Sequence, residues 1–242
     1  MKQYRGPDGK QRIWFESSEI ECVMEDELNK AGLYPTSEQP IVDIERFLEN
    51  HLRAKVDQYA DLEKDILGVT SFTAGQNPTV EINKDLTGAV FDQGDDNVSL
   101  LGRWRATLAH EGSHIILHRP LFELSTIQGD LFREVENISS KEVVIKCYKK
   151  NVGFSRGRTD WREFQANRGM AALLMPQHLL KKITEQLLKS HQGKLLQAGS
   201  KEAYLLITTV SEIFQVSRQA AEIRLNDLGT LIPAGQALMK VE

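Results

Sequence analysis

Apolar positions recur at two different periods along the chain, and the changes of period mark out its elements. Near the start the pattern is short and mixed. Gly6-Pro7-Asp8-Gly9 is a turn signal between two such runs, which predicts a hairpin over 3–15. Ser17-Ser18 then opens a helical stretch to Ala31, with Glu21 three residues after Ser18 as the second half of a capping box, and Gly32 and Pro35 end it. From Pro40 the period sharpens: Ile41, Ile44, Phe47, Leu48 and Leu52 share one helical face and predict about three turns. Short strands are expected at 66–72 and 79–82, on either side of the turn signal Gly75-Gln76-Asn77-Pro78. Leu101, Trp104, Leu108, Ile115 and Ile116 place a helix over 100–118. Residues 119–160 carry one strand-like run, 143–148, and a Gly-, Arg- and Ser-rich loop at 151–159. A helix over 161–174 stops before Pro176. Helices follow at 177–189, 202–214 and 217–228, with Ser217 as an N-cap and Gly229 as a stop. Helix, short strands, then helices is the order of an α+β fold. Three units are expected: an N-terminal extension of hairpin plus helix (1–39), a central domain (40–176) and a helical C-terminal subdomain (177–242). The extension carries no evident chemistry, so packing or partner docking is its expected use.

Composition narrows the function classes. The 242 residues hold 30 basic and 34 acidic side chains, a net charge of −4, which argues against a protein built to coat nucleic acid. The longest apolar runs, such as Ile115–Leu117, are too short to span a bilayer. The opening Met1-Lys2-Gln3-Tyr4-Arg5 is polar where a signal peptide needs an apolar stretch. Cys22 and Cys147 stand far apart and make neither a metal-ligand pair nor a disulfide framework. A soluble cytoplasmic protein is the expectation.

The chemistry centres on His110-Glu111-Gly112-Ser113-His114, an H-E-x-x-H motif. On a helix, residues four apart lie on one face, so both imidazoles can reach one ion. Glu111 stands where its carboxylate can take a proton from a water activated there. By residue frequencies the motif arises by chance in a chain of this length on the order of one time in a hundred. The alternative is a pair of surface histidines on an amphipathic helix. Against it, Ala106-Thr107-Leu108-Ala109 before the motif and Ile115-Ile116-Leu117 after it imply burial, which is costly for two histidines and a glutamate without a partner.

A third ligand must come from elsewhere. His118 lies four residues beyond His114, but the helical face drifts by about 40° per such step. The extended pattern that turns at a glycine to bring in a third histidine is absent, with Leu117 at the glycine position. His118 is expected at the helix C-terminus, where a partly charged ring favours the dipole, with ligation as its alternative. Glu163, in Trp161-Arg162-Glu163-Phe164-Gln165-Ala166-Asn167, starts a second helix with Asn167 one turn on, placed to orient a ligand histidine. Spacing alone leaves Glu163 balanced between a ligand and an exposed first-turn glutamate.

Three stretches together resemble the ImmA/IrrE family of metallo-endopeptidases. They are Arg105-Ala106-Thr107-Leu108-Ala109-His110-Glu111 through His114 and Leu117-His118; Glu163 through Pro176, with its E-x-x-A-N and A-x-L-L-M-P elements; and Phe214-Gln215-Val216-Ser217 with Ala220, Arg224-Leu225 and Leu228-Gly229. Ile41 to Glu45 and Val80 to Asn83 also fit, so the resemblance runs in order over 40–232. It implies a zincin-like metallopeptidase domain, a small sheet plus active-site helices; the helices 202–214 and 217–228, joined by Gln215-Val216, themselves resemble a helix-turn-helix. The family resemblance further implies that His110, His114 and Glu163 bind zinc, with manganese tolerated by such a set, and that Glu111 is the general base. The implied substrate is a separate protein, a helix-turn-helix transcriptional repressor cleaved in stress response or mobile-element regulation. Family members usually read H-E-x-G-H, whereas Gly112-Ser113 reverses the small residues here, at a helix cost of about 1 kcal/mol. The stretch between His114 and Glu163 also looks long. Its Lys149, Lys150, Arg156 and Arg158, with Lys146, are candidate substrate-binding cations, a solvated loop being the alternative. Tyr148, Arg156, Arg158 and His178 are candidate oxyanion stabilisers.

The tail is expected to serve structure or partner docking rather than direct nucleic-acid binding, because Arg218 and Arg224 are balanced by Glu222 and Asp227 on the last helix. Two rivals to the peptidase reading are a regulator acting through the tail with a relic metal site, and a structural zinc module with four protein ligands.

Overall fold

The computed structural model describes residues 2–5, 11–73, 75–91, 98–130, 143–149, 160–189 and 196–232. The turn Gly6-Pro7-Asp8-Gly9 and the loop 151–159 lie outside them. Among the described residues the fold is α+β, a small mixed sheet covered by helices.

Strands β1 (Lys2–Arg5) and β2 (Gln11–Trp14) pair antiparallel as the expected hairpin. Helix α1 (Ser17–Lys30) follows, but its cap lies earlier than the sequence suggested. Glu16 is the N-cap, and its backbone N–H donates to the Glu19 carboxylate at 2.9 Å. Glu21, expected as the capping partner of Ser18, is instead ion-paired with Arg224 far along the chain. Ile20, Met24 and Leu28 of α1 are buried and belong to the same core as the later helices.

Asp43 caps a short helix α2 (Ile44–Arg46) by accepting from the Arg46 N–H at 3.1 Å, and a π-helical turn over Phe47–His51 continues it. The helix begins after Ile41, which is 40 % exposed rather than part of the buried face. Strands β3 (Lys55–Ala60), β4 (Ile66–Phe72), β5 (Thr79–Asn83) and β6 (Val143–Tyr148) form the sheet in the order β3-β5-β4-β6. β3 runs parallel to β5, whereas β4 is antiparallel to both its neighbours. β4 is buried along its whole length, as expected of an apolar central strand. The sequence reading missed β3 and helix α3 (Lys84–Phe91).

Helix α4 (Val98–Asp130) lies across the sheet and packs on helix α5 (Trp161–Leu174). It continues through Pro120, twelve residues past the expected end at His118. Proline forgoes only the one N–H bond to residue 116, so a long helix can absorb it with local distortion. Helices α6 (Gln177–Leu188), α7 (Lys201–Phe214) and α8 (Arg218–Asp227) follow, with a two-residue parallel pair, β7 (Leu196–Gln197) and β8 (Leu231–Ile232), between their ends. Ser217 caps α8 as expected, accepting from the Ala220 N–H at 3.1 Å.

The contacts that hold the α7–α8 pair against the rest include two close ones. At Gly102 of α4 a β-carbon would stand 2.7 Å from the Ser217 backbone nitrogen and 2.9 Å from the Val216 carbonyl carbon, so only glycine admits the connection between α7 and α8. Arg224, 2 % exposed, donates to the Glu21 carboxylate of α1 and to the carbonyl of Met175 at the end of α5, the latter at 2.9 and 3.2 Å. No helix among the described residues is long and apolar enough to cross a membrane.

Candidate metal centre

The mid-section of α4 from Ala106 to Ile115 is buried between sheet and helix, which removes the surface-histidine alternative. Its fit depends on small residues at the contacts. A β-carbon on Gly112 would meet Leu48 of the π-helical turn at 3.1 Å. One on Gly169 of α5 would meet Ser113 Oγ at 2.7 Å. The order Gly112-Ser113 thus suits its surroundings: the glycine faces the π-helical turn, and the serine, its hydroxyl returned to the Ala109 carbonyl at 2.7 Å, faces the α5 glycine.

That close approach of α5 to α4 brings Glu163 to the histidine pair. Asp160 caps α5 and Glu163 sits in its first turn, but the side chain is buried, not exposed. His110 Nε2 and His114 Nε2 are 3.1 Å apart, and the Glu163 carboxylate oxygens stand 3.4 Å from the first and 3.3 Å from the second. Tetrahedral ligands about 2.1 Å from a zinc-like ion stand roughly 3.4 Å from each other. Each separation, though the two to Glu163 are taken to different oxygens, is near that value, and one donor from each side chain lies within 4.8 Å of the others, so His110, His114 and Glu163 can hold a metal ion.

The electrostatics favour a cation at this point. Burial pulls the His110 ring down, but the Glu163 hydrogen bond and the Glu111 and Glu163 charges outweigh it and leave its pKa raised. Burial alone would raise Glu163, yet its bonds to His110 and His114 hold it below the ordinary carboxylate range. His114 is pushed down to about 4 by burial, against the attraction of Glu163, so this ring stays neutral and its lone pair is free to ligate. In the metal-free protein a proton on His110 is thus favoured beside Glu163, and an ion bound at Nε2 would displace it.

Glu111 is not among the three converging donors. Its side chain turns toward β4, where Oε2 accepts from the Thr70 hydroxyl at 2.5 Å and Oε1 is buried without a hydrogen bond. Burial pushes the carboxyl up to about 7, against the opposing pull of His110 and the Thr70 hydroxyl. A β-carbon on Gly68 would stand 2.6 Å from that free oxygen, so the glycine in β4 makes the room it occupies. Cys147, on β6, faces the same carboxylate, and burial drives its thiol well above the usual value. Nothing in the local sequence marked Thr70, Gly68 or Cys147; they reach Glu111 only through the sheet.

Asn167 lies where the spacing placed it, with its Oδ1 3.1 Å from His110 Nδ1, on the side of the ring away from Glu163. His118 does not. It is interior to α4 and fully buried, which lowers its pKa well below the ordinary histidine value, so there is no charged ring at a helix end. It is not among the converging donors either: its Nδ1 lies 3.0 Å from Nδ1 of His114. Lys149 is exposed at the end of β6, while Lys150, Arg156 and Arg158 lie outside the described residues. Lys146 is half exposed and paired with Glu63. Tyr148 is partly buried, and His178 is largely exposed and bonded to Glu25 of α1 at 2.7 Å.

No family model matches the sequence, and no curated protein matches it.

Proposed function

We propose that the protein is a metal-dependent endopeptidase of zincin-like fold, with zinc as its ion and manganese as the alternative. The observation that carries this reading is the triangle of His110, His114 and Glu163 with a buried glutamate, Glu111, held beside it but outside it. Two imidazoles and one carboxylate are the donors of catalytic centres that keep a position for water, whereas closed structural centres are built mainly from cysteines. Both cysteines here are elsewhere: Cys22 is exposed and Cys147 faces Glu111. A relic site would have no use for Glu111, whose buried charge is costly unless it works.

When bound, the ion lowers the pKa of a water and polarises the scissile carbonyl. His110, His114 and Glu163 hold it. Asn167 takes the Nδ1–H of His110 and so presents Nε2 to the ion. Glu111, with a pKa near neutrality, accepts the proton of the attacking water and hands it to the leaving amine, the behaviour expected of a general base matched to its working pH. Thr70 anchors Oε2 of that carboxylate and leaves Oε1 for the proton.

The proposed substrate is a separate helix-turn-helix repressor in the cytoplasm, as the resemblance implies. Direct nucleic-acid binding by the tail is disfavoured: Arg224 of α8 is buried on Glu21, and the exposed side of that helix carries Glu222 and Asp227 as well as Arg218. The test is metal content of the purified protein and of Glu163→Ala, each checked for native folding. About one zinc per chain in the first and much less in the second is expected. A wild-type protein that takes up none after reconstitution sinks the reading. Glu111→Gln should keep the metal and lose cleavage of repressor proteins, whereas a structural or relic site predicts that no cleavage is there to lose.

A further inference from the structure

Among the described residues, His118 is the one fully buried imidazole that the proposed metal centre does not use. Its ring is fixed on both sides. Nδ1 stands 3.0 Å from Nδ1 of His114, and Trp161 of α5 packs edge-on against it at 5.4 Å between centroids.

Where no ion lies between them, two imidazole nitrogens at hydrogen-bond distance share one proton: one donates and the other accepts. If His114 binds the ion through Nε2, its only ring proton is on Nδ1, and Nδ1 of His118 must be the acceptor. The remaining proton of His118 then lies on Nε2. That nitrogen is buried without a hydrogen bond. The Gln165 side chain faces the ring, its amide nitrogen occupied by the Ile13 carbonyl at 3.3 Å, and its Oε1 is likewise buried and unbonded. A buried donor and a buried acceptor, neither hydrogen-bonded, thus belong to neighbouring side chains, the donor being the nitrogen that carries the remaining proton.

We propose that His118 is a positioning residue for the metal centre: by accepting the Nδ1–H of His114 it fixes the ring plane and the Nε2-ligating tautomer of that ligand, with Gln165 receiving its own Nε2–H. The inference rests on the metal-centre reading above. It gives the two ligand histidines matching supports, Asn167 behind His110 and His118 behind His114, both without charge. Neutral acceptors would raise the basicity of the two ligand rings less than carboxylates do.

The test uses the full chain and Zn²⁺ alone, with affinity read by competition against a chromophoric chelator, and Co²⁺ absorption as a second signal. His118→Phe fills the space without an acceptor and should weaken Zn²⁺ binding by about 10- to 100-fold and alter the Co²⁺ spectrum. His118→Gln, which restores an acceptor, should recover most of the affinity. Binding by His118→Phe within twofold of wild type, or equal loss in both variants, overturns the proposal. Should His118→Phe not fold, ring ¹⁵N shifts of zinc-loaded wild type decide: protonated Nδ1 on His114 and protonated Nε2 on His118 are expected, and protonated Nδ1 on His118 overturns the proposal. A wild type that takes up no zinc fails the metal-centre reading itself; one that takes it up while His118→Phe is unaffected fails only this inference.

Discussion

Replacing Glu111 with glutamine should make the metal-stripped protein more stable, and the gain should depend on pH. Burial raises this carboxyl from 4.5 to about 7, so the folded protein holds its proton more tightly than the unfolded chain does. For such a group stability falls as pH rises, beginning near the unfolded value and levelling off above the folded one. Near pH 8 the group is ionised in both states, and keeping the charge buried costs about 3 kcal/mol. Near pH 5 the folded carboxyl is protonated and the cost is under about 1 kcal/mol. Glutamine fills the same volume, keeps an oxygen for the Thr70 hydroxyl and carries no charge at either pH. Glu111→Gln should therefore gain about 3 kcal/mol over wild type at pH 8 and little at pH 5. The first figure is an upper value, because the charge also helps to hold the proton on His110. His114, pushed down to about 4, acts in the opposite sense: as pH rises from 4 to 6.5 its neutral buried ring becomes favourable. That contribution is present in both proteins and cancels in the comparison. Urea unfolding in chelator at pH 5 and pH 8 measures the difference. A gap between the two proteins that is the same at both pH values refutes the account of Glu111 as a buried, strained charge.

Two further substitutions probe how the centre is built. Gly169→Ala places a β-carbon 2.7 Å from Ser113 Oγ and 2.6 Å from Met24 Cε. Forcing α5 away from α4 should cost about 1–3 kcal/mol and weaken zinc binding together, as a thermal melt and chelator competition would show, with Ser113→Gly in the same chain restoring part of both. Arg224→Ala strands the Glu21 carboxylate and the Met175 carbonyl and should destabilise by about 3–5 kcal/mol in urea, whereas replacing Arg224 and Glu21 together with Met and Leu should cost much less.

The strands 66–72 and 143–148 and the helix 161–174 were legible because apolar content and end signals coincide with tertiary burial there. β3 was not, because Lys55-Val56-Asp57-Gln58-Tyr59 is an edge strand, polar on most positions, and its partner β5 lies a hairpin away in sequence. The end of α4 was misplaced because Pro120 reads as a stop, and packing along a long helix can override one lost bond. The α1 cap was misplaced for a different reason: Glu21 has a use that only Arg224 reveals. At the centre, His110 and His114 declared themselves by spacing. Glu163 needed the approach of a second helix to choose between ligand and surface residue. Thr70 and Gly68 carry no signal of their own, since a hydroxyl and a glycine in an apolar run acquire meaning only from the carboxylate opposite.

The division of the three donors between α4 and α5 would set how an ion held by them comes and goes. A chain in which α4 has formed already presents two imidazoles one turn apart, enough to capture a metal weakly before Glu163 arrives. Full retention would begin only when α5 docks, so an ion bound there would staple two helices whose donors are distant in sequence. Release would then follow the parting of the two helices, and the rate at which a chelator strips a loaded protein would be a clock for that local opening.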